Sequence, residues 1–210
     1  MLDSPEMVEE PTRPSLLLRM RDGEDDGAWF EFESLYRDLI LGYCRRRGLQ
    51  AADAEDARQI VMISLSTAFR RGFLYRRERG KFRAYLARVT ANAVARMLAH
   101  PSGRAVHLET EVRDVLVAEG DTPIDEAWEQ EWVQHHYRLA MESVRRTFEE
   151  RSVRIFERLL AGASTEEVAA EYELSTQAVH KVKQRIRKRM KELVGVQIAE
   201  EEADDDVPRE

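Results

Sequence analysis

The sequence holds a single cysteine, Cys44. That excludes an intrachain disulfide and a cysteine-cluster zinc site, and it suits a reducing compartment. Glycine and proline are scarce, 10 and 6 in 210 residues, too few for an all-β protein full of turns. Nowhere does an uncharged apolar run approach the roughly 20 residues that span a bilayer. The opening Met-Leu-Asp-Ser-Pro-Glu is acidic and has no apolar stretch, so neither a signal peptide nor membrane insertion is expected, and the expected location is the cytoplasm. Glycine-rich phosphate loops, nucleophile motifs and metal-ligand clusters are missing too. The expectation is therefore no catalytic residue, no metal and no cofactor: this is not an enzyme. His135 and His136 are adjacent, expected to point to different faces of a helix and to make poor joint ligands.

What is present favours helices. Hydrophobic residues make up 43% of the chain, enough for cores, and charged residues 35%, which implies much exposed helical surface. Ala, Leu, Glu and Arg dominate, residues that lose little freedom in a helix. The net charge of −7 argues at first against nucleic acid. Its distribution reverses that. Acids collect near the two ends, while bases form two interior blocks. One block runs through Arg70, Arg71, Arg76, Arg77, Arg79, Lys81, Arg83 and Arg88; the other through Lys181, Lys183, Arg185, Arg187, Lys188, Arg189 and Lys191. A phosphate backbone responds to local potential rather than to the sum. Solvated helix faces also carry such runs, but here each lies beside aromatic or helix-turn-helix signals.

Along the chain, residues 1–13 read as disordered, with two prolines and no periodicity. A first domain spans 14–100. In it Trp29, Phe32, Leu35, Tyr36, Leu39, Ile40 and Tyr43 recur at helical spacing, and Gly48 fits a C-terminal cap. Asp53 opens the next helix, with Glu55 and Asp56 in its first turn. A basic, aromatic connection from Gly72 to Gly80 precedes a helix over 81–99, with Phe82, Tyr85 and Leu86 read as core. Residues 101–124 read as a flexible linker. A second domain covers 125–198, with helices near Trp128–Val144 and 151–161 whose inner residues are Val153, Phe156, Leu159 and Leu160. An acidic, disordered tail fills 199–210. The fold class is all-α, two small helical domains joined by a linker.

The most informative stretch is 162–194. Ser164 with Glu167 makes a capping box for a short helix, residues 173–175 make a tight connection, and Ser175 can cap a longer helix. In that helix Val179, Val182, Ile186, Met190 and Leu193 face inward. Thr176, Gln177, His180, Lys181, Lys183, Gln184 and Arg187 fall on the outer side. This is a helix-turn-helix: a helix narrow enough for the major groove, with hydrogen-bonding side chains for base edges and cations for phosphate. Gln and Lys near its start suit bases; Arg185, Arg187 and Lys188 suit the backbone.

The pattern Ser-Thr-Glu-Glu-Val-Ala, Leu-Ser, Ala-Val-His-Lys and Arg-Ile-Arg-Lys-Arg resembles region 4 of the extracytoplasmic-function sigma factors, members of the sigma-70 family. Asp53-Ala-Glu-Asp-Ala-Arg-Gln59-Ile-Val and Phe73-Leu-Tyr, followed by Gly80-Lys-Phe-Arg-Ala-Tyr-Leu and Val89-Thr-Ala-Asn, resemble region 2 of the same family. Ile60, Met62 and Tyr85 depart from the family's usual Glu, aromatic and Trp. The resemblance implies core RNA polymerase and promoter DNA as partners, and allows an anti-sigma factor as a third. It places Asp53, Glu55, Asp56 and Gln59 against the polymerase. It places Phe73, Tyr75, Arg76, Arg77, Lys81 and Arg83 on the melted downstream (minus-ten) element, where cations hold phosphate and aromatics stack on bases. The second-domain helix would read the upstream (minus-thirty-five) element. Without the resemblance two other functions fit the residues: a helix-turn-helix repressor or activator working without polymerase docking, or an adaptor that binds a partner through its helices.

Overall fold

The computed structural model describes residues 16–21, 25–70, 82–99 and 125–204. All regular structure among them is helical, with no strand, so the all-α reading holds. The chain divides into two compact units. Unit 1 holds α1 (Leu16–Arg21), α2 (Asp26–Arg46), α3 (Ala51–Arg70) and α4 (Phe82–Ala99). Unit 2, Asp125–Glu201, is built from α5 (Glu126–Thr147), α6 (Glu150–Leu160), α7 (Thr165–Glu171) and α8 (Thr176–Asp204). Of the boundaries expected from sequence, residues 1–13 and the linker at 101–124 lie outside the described residues.

In unit 1 the helical apolar stripe becomes an aromatic core. Phe32 is fully buried; its ring lies 4.7 Å from Tyr36, 6.5 Å from Trp29 and, across to α4, 5.9 Å from Phe82. Trp29 meets Phe69 of α3 edge-on at 5.9 Å, an arrangement that places a ring's positive edge on its neighbour's negative face. Asp25 caps α2 by accepting from the Ala28 amide at 2.8 Å. Arg19 staples α1 to this start through Asp25 at 3.0 Å and Glu31 at 2.6 Å. These two bonds hold the Asp25 carboxyl below its usual range, the Arg19 contact first and the Ala28 amide second. Cys44 is buried and its thiol is pushed up to about 12, so it packs as a small apolar group.

Helix α2 ends as the glycine predicted. Gly48 sits at φ 96°, its amide donates to Arg45 (2.9 Å), and the amide of buried Leu49 donates to Cys44 (3.1 Å). This is a Schellman cap, with an apolar residue sealing it. One expectation needs correction here. Asp53 does not open α3; the helix begins at Ala51, and Asp53 is an acid in its first turn. Ala51 and Ala52 are the best helix formers and let the helix start two residues earlier.

Unit 2 has two small apolar clusters with α6 between them. Val153 and Phe156 join Ala140, Met141, Val144, Ile186 and Met190 on one side. Ile155 joins Val168, Ala169 and Val179 on the other. Leu160, expected to face inward, is 52% exposed because it lies at the helix end, beyond both clusters. His135 and His136 correct another expectation. Both are buried, with ring centroids 5.4 Å apart, and they stack around Trp132. A step of 100° separates neighbours on a helix, and the buried sector of α5 is wide enough here to take both. Finally, residues 199–204 of the expected tail belong to α8. Ala199, Ala203 and three glutamates favour helix, and no proline follows until Pro208.

Candidate nucleic-acid interface

The segment from α7 through its turn to α8, read from sequence as a helix-turn-helix, is assembled from local signals. Ser164 Oγ accepts from the Glu167 amide (3.1 Å) while the Glu167 carboxylate accepts from the Ser164 amide (2.8 Å), completing the capping box of α7. The second of these bonds holds the Glu167 carboxyl below its usual range. α7 ends in a second Schellman cap: the Glu173 amide donates to Ala170 (3.3 Å) and the Leu174 amide to Ala169 (2.9 Å). Leu174 packs on the cluster below. Ser175 then caps α8, accepting from the Ala178 amide at 3.2 Å. Arg151 clamps the turn by donating to the Tyr172 carbonyl, and Arg158 holds α7 through Glu171 at 2.9 Å.

The predicted inner stripe of α8 is the observed one: Val179, Ile186 and Met190 are buried, Val182 and Leu193 partly so. Opposite it, Thr176, Gln177, His180, Lys181, Gln184 and Arg187 are exposed. Lys183 is half-buried, on the flank. Helical spacing makes Gln177, Lys181, Gln184, Lys188 and Lys191 one ridge. Lys191, the last residue of the basic block and seven after Gln184, is exposed at the end of this ridge. Arg185, read as suiting the phosphate backbone, is exposed but engaged. It donates to Ser152 Oγ (3.2 Å) and lies over the Phe148 ring at 5.3 Å, which ties α8 to the rest of unit 2.

In unit 1 the four polymerase-facing candidates separate. Asp53, Asp56 and Gln59 are exposed on α3. Glu55 is half-buried and engaged: it pairs with Arg37 and, at 2.7 Å, with Arg58, which also reaches Glu33. The Arg58 bond is the main reason its carboxyl is held below the usual range. Ile63, 41% exposed, continues the Asp56–Gln59 ridge as an apolar contact among polar ones; its place four residues after Gln59 was legible but unused. Of the downstream-element candidates, Phe73, Tyr75, Arg76, Arg77 and Lys81 lie outside the described residues. Arg83 is half-buried in the first turn of α4, beside buried Phe82. Tyr85 is partly buried, and burial pushes its hydroxyl up to about 12.

Comparison with family profiles finds one match, and it falls in unit 1. Residues 34–102 match the family described as Sigma-70 region 2. The match spans α3, α4 and most of α2. It supports a sigma factor role in promoter recognition, with core RNA polymerase and promoter DNA as partners. A comparison with curated proteins returns no match. Among the described residues no helix is long and apolar enough to cross a membrane.

Proposed function

We propose that this chain is a sigma factor of the extracytoplasmic-function type, which brings core RNA polymerase to a promoter and opens it there. The observation that carries the reading is the pairing of a Sigma-70 region 2 match in one unit with a capped, basic helix-turn-helix in the other. In unit 1 the ridge of Asp53, Asp56, Gln59 and Ile63 docks on the polymerase, while Glu55 holds α3 against α2. Arg83, with Phe73, Tyr75, Arg76, Arg77 and Lys81, grips the opened downstream element. In unit 2 the start of α8 lies in the major groove, where Gln177, His180 and Gln184 meet base edges. Lys181, Lys183, Arg187, Lys188 and Lys191 neutralise phosphates. The protein acts by binding, as its family does, and the polymerase supplies the chemistry. It works where the polymerase is, in the cytoplasm, and an anti-sigma factor is a further partner under this reading.

The test is co-purification of the full chain with core RNA polymerase, followed by run-off transcription on a promoter selected from random duplexes. Retention on the polymerase and a discrete transcript are expected. Sequence-specific duplex binding without polymerase retention would instead make the chain a helix-turn-helix repressor or activator.

A further inference from the structure

The sequence of α8 changes sign towards its end. From Lys181 to Lys191 there are seven bases and no acid; over 200–206 six of the seven residues are acids. The helix runs unbroken from Thr176 to Asp204, so at 1.5 Å per residue Asp204 stands about 35 Å from Lys181. The six residues that follow it reach about 20 Å at full stretch. While α8 is intact, its acids are kept from the start of its basic ridge.

The far part of the helix is weakly held. The apolar cluster under α8 takes in Ile186 and Met190, with Leu193 and Val194 partly buried at its edge. Past that edge Val196 is 53% exposed, Ile198 43%, and Ala199 is exposed. Gln197 is half-buried, its Oε1 3.1 Å from His136 Nδ1. Gly195 sits at the junction. A Cβ there would meet nothing within 4 Å, and its backbone is not left-handed as it is at Gly48 and Gly162. Neither close packing nor a turn calls for glycine, which is among the poorest helix formers. The β-branched Val196 and Ile198 add to the cost. Glu201, Glu202 and Asp204, in the last turn, meet the negative end of the helix dipole.

We infer that α8 past Gly195 is a conditional helix, and that its unfolded form returns the acids at 200–206 to the basic ridge, where they compete with DNA phosphate. Freed at Gly195, the twelve residues to Asp206 span up to about 40 Å, whereas Lys181 lies only about 20 Å back along the helix. The occupant of the ridge in the absence of DNA is therefore the chain's own acidic end, selected by charge and by a reach that only the unfolded form has. The two states are linked: whatever stabilises the helical end clears the ridge, and DNA bound to the ridge favours the helical end. The inference rests on α8 as the helix that binds duplex DNA.

The test is duplex affinity of the full chain at ~0.01 M and ~0.15 M salt, where the Debye length is about 30 Å and about 8 Å. At low salt Gly195→Ala should bind about threefold more tightly than the parent, the shift that alanine for glycine makes in a helix–coil equilibrium. Gly195→Pro, which ends the helix, should bind more weakly than the parent. Both shifts should fade at the higher salt. Both should vanish in a neutral background carrying Glu200→Gln, Glu201→Gln, Glu202→Gln, Asp204→Asn, Asp205→Asn and Asp206→Asn. Amide exchange over 196–204 should slow in Gly195→Ala, and in the parent once duplex is bound. Tighter binding by the neutral background, with no response to either change at Gly195, would mean that the acids act at a distance through the field of an intact helix; that overturns the inference. Equal affinity of the parent and neutral chains at low salt overturns it as well. If no variant binds duplex, the reading of α8 fails and this inference with it, whereas duplex binding that ignores Gly195 overturns this inference alone.

Discussion

The two units use their charges in opposite ways. In unit 1 arginines are consumed inside the fold: Arg19 ties α1 to α2, and Arg37 and Arg58 bind Glu33 and Glu55 across α2 and α3. What the outer ridge of α3 then offers a partner is acid, amide and one isoleucine. In unit 2 Arg145–Glu157, Arg154–Glu150 and Arg158–Glu171 pair around α5, α6 and α7, and on α8 Arg189 pairs with Glu192 at 3.6 Å. The cations on the outer ridge of α8, Lys181, Lys188 and Lys191, are exposed. A basic residue count thus says little by itself about nucleic acid; what decides is which arginines the fold has already taken.

The comparison breaks most visibly if the units do not fold independently. Phe32 is fully buried among three rings, so Phe32→Ala should cost unit 1 about 3–5 kcal/mol. Denaturant unfolding should lose the unit 1 transition while duplex binding through α8 persists. Loss of duplex binding as well would show that unit 2 depends on unit 1, and the separation drawn above would fail.

Acid should separate the units next. Burial, with the nearby charges of His136 and Arg138, lowers His135 from 6.5 to about 3. The unfolded chain therefore binds a proton that the folded chain refuses between those values. The stability linked to His135 is fully present above pH 6.5 and falls by about 1.4 kcal/mol per unit below it, until pH nears 3. From pH 6.5 to 5 unit 2 should lose about 2 kcal/mol, and His135→Phe should remove most of that slope. Among its described residues unit 1 has no histidine. Its depressed carboxyls, Asp25 and Glu55, contribute stability that is present above their ordinary range and is lost only as pH falls further. Urea melts followed at pH 7 and pH 5 check this; a slope unchanged by His135→Phe would assign the acid sensitivity elsewhere.

Two arginines sharpen the contrast in charge. Arg58, its side chain 14% exposed between Glu33 and Glu55, should cost about 1 kcal/mol of unit 1 stability as alanine and change DNA binding little. Arg187→Ala should do the reverse: stability unchanged, duplex affinity lower for every sequence, and the salt dependence reduced by about one counterion. Salt titrations and denaturant melts on both variants suffice. A matching pair of phenotypes would mean that the division between holding and binding arginines is wrong.

Much of this was legible because the signals are local. The Ser164–Glu167 box, the Gly48 cap and the stripe from Val179 to Leu193 need only spacing and residue type, and all three stand in the structure. What escaped depends on contacts distant in sequence. Nothing near Glu55 announces that Arg37, 18 residues earlier, takes it, nor anything near Arg185 that Ser152 and Phe148 do. His135 and His136, expected on different faces, are both buried because α5 buries a wide sector.

The smallest effect comes from the turn between α7 and α8. Three helices end in the same two-bond cap, at Gly48, Gly162 and Glu173, with φ values of 96°, 94° and 52°. Two of these use the residue that has no Cβ to clash with the following carbonyl. The third places a glutamate in the left-handed region, which costs an L-residue roughly 1–2 kcal/mol. Glycine relieves that strain but has more unfolded-state freedom to lose, about 0.5–1 kcal/mol. The two nearly offset, with strain ahead, so Glu173→Gly should stabilise unit 2 by about 0.5 kcal/mol. Gly162→Ala, by the same reasoning in reverse, should destabilise it by about 0.5 kcal/mol or more. Both shifts are read from the denaturant midpoint, and both variants should bind duplex DNA as the parent does, since neither position lies on the outer ridge of α8. A destabilised Glu173→Gly variant would mean that the glutamate makes a compensating interaction, and that the cap between α7 and α8 is held by more than its backbone bonds.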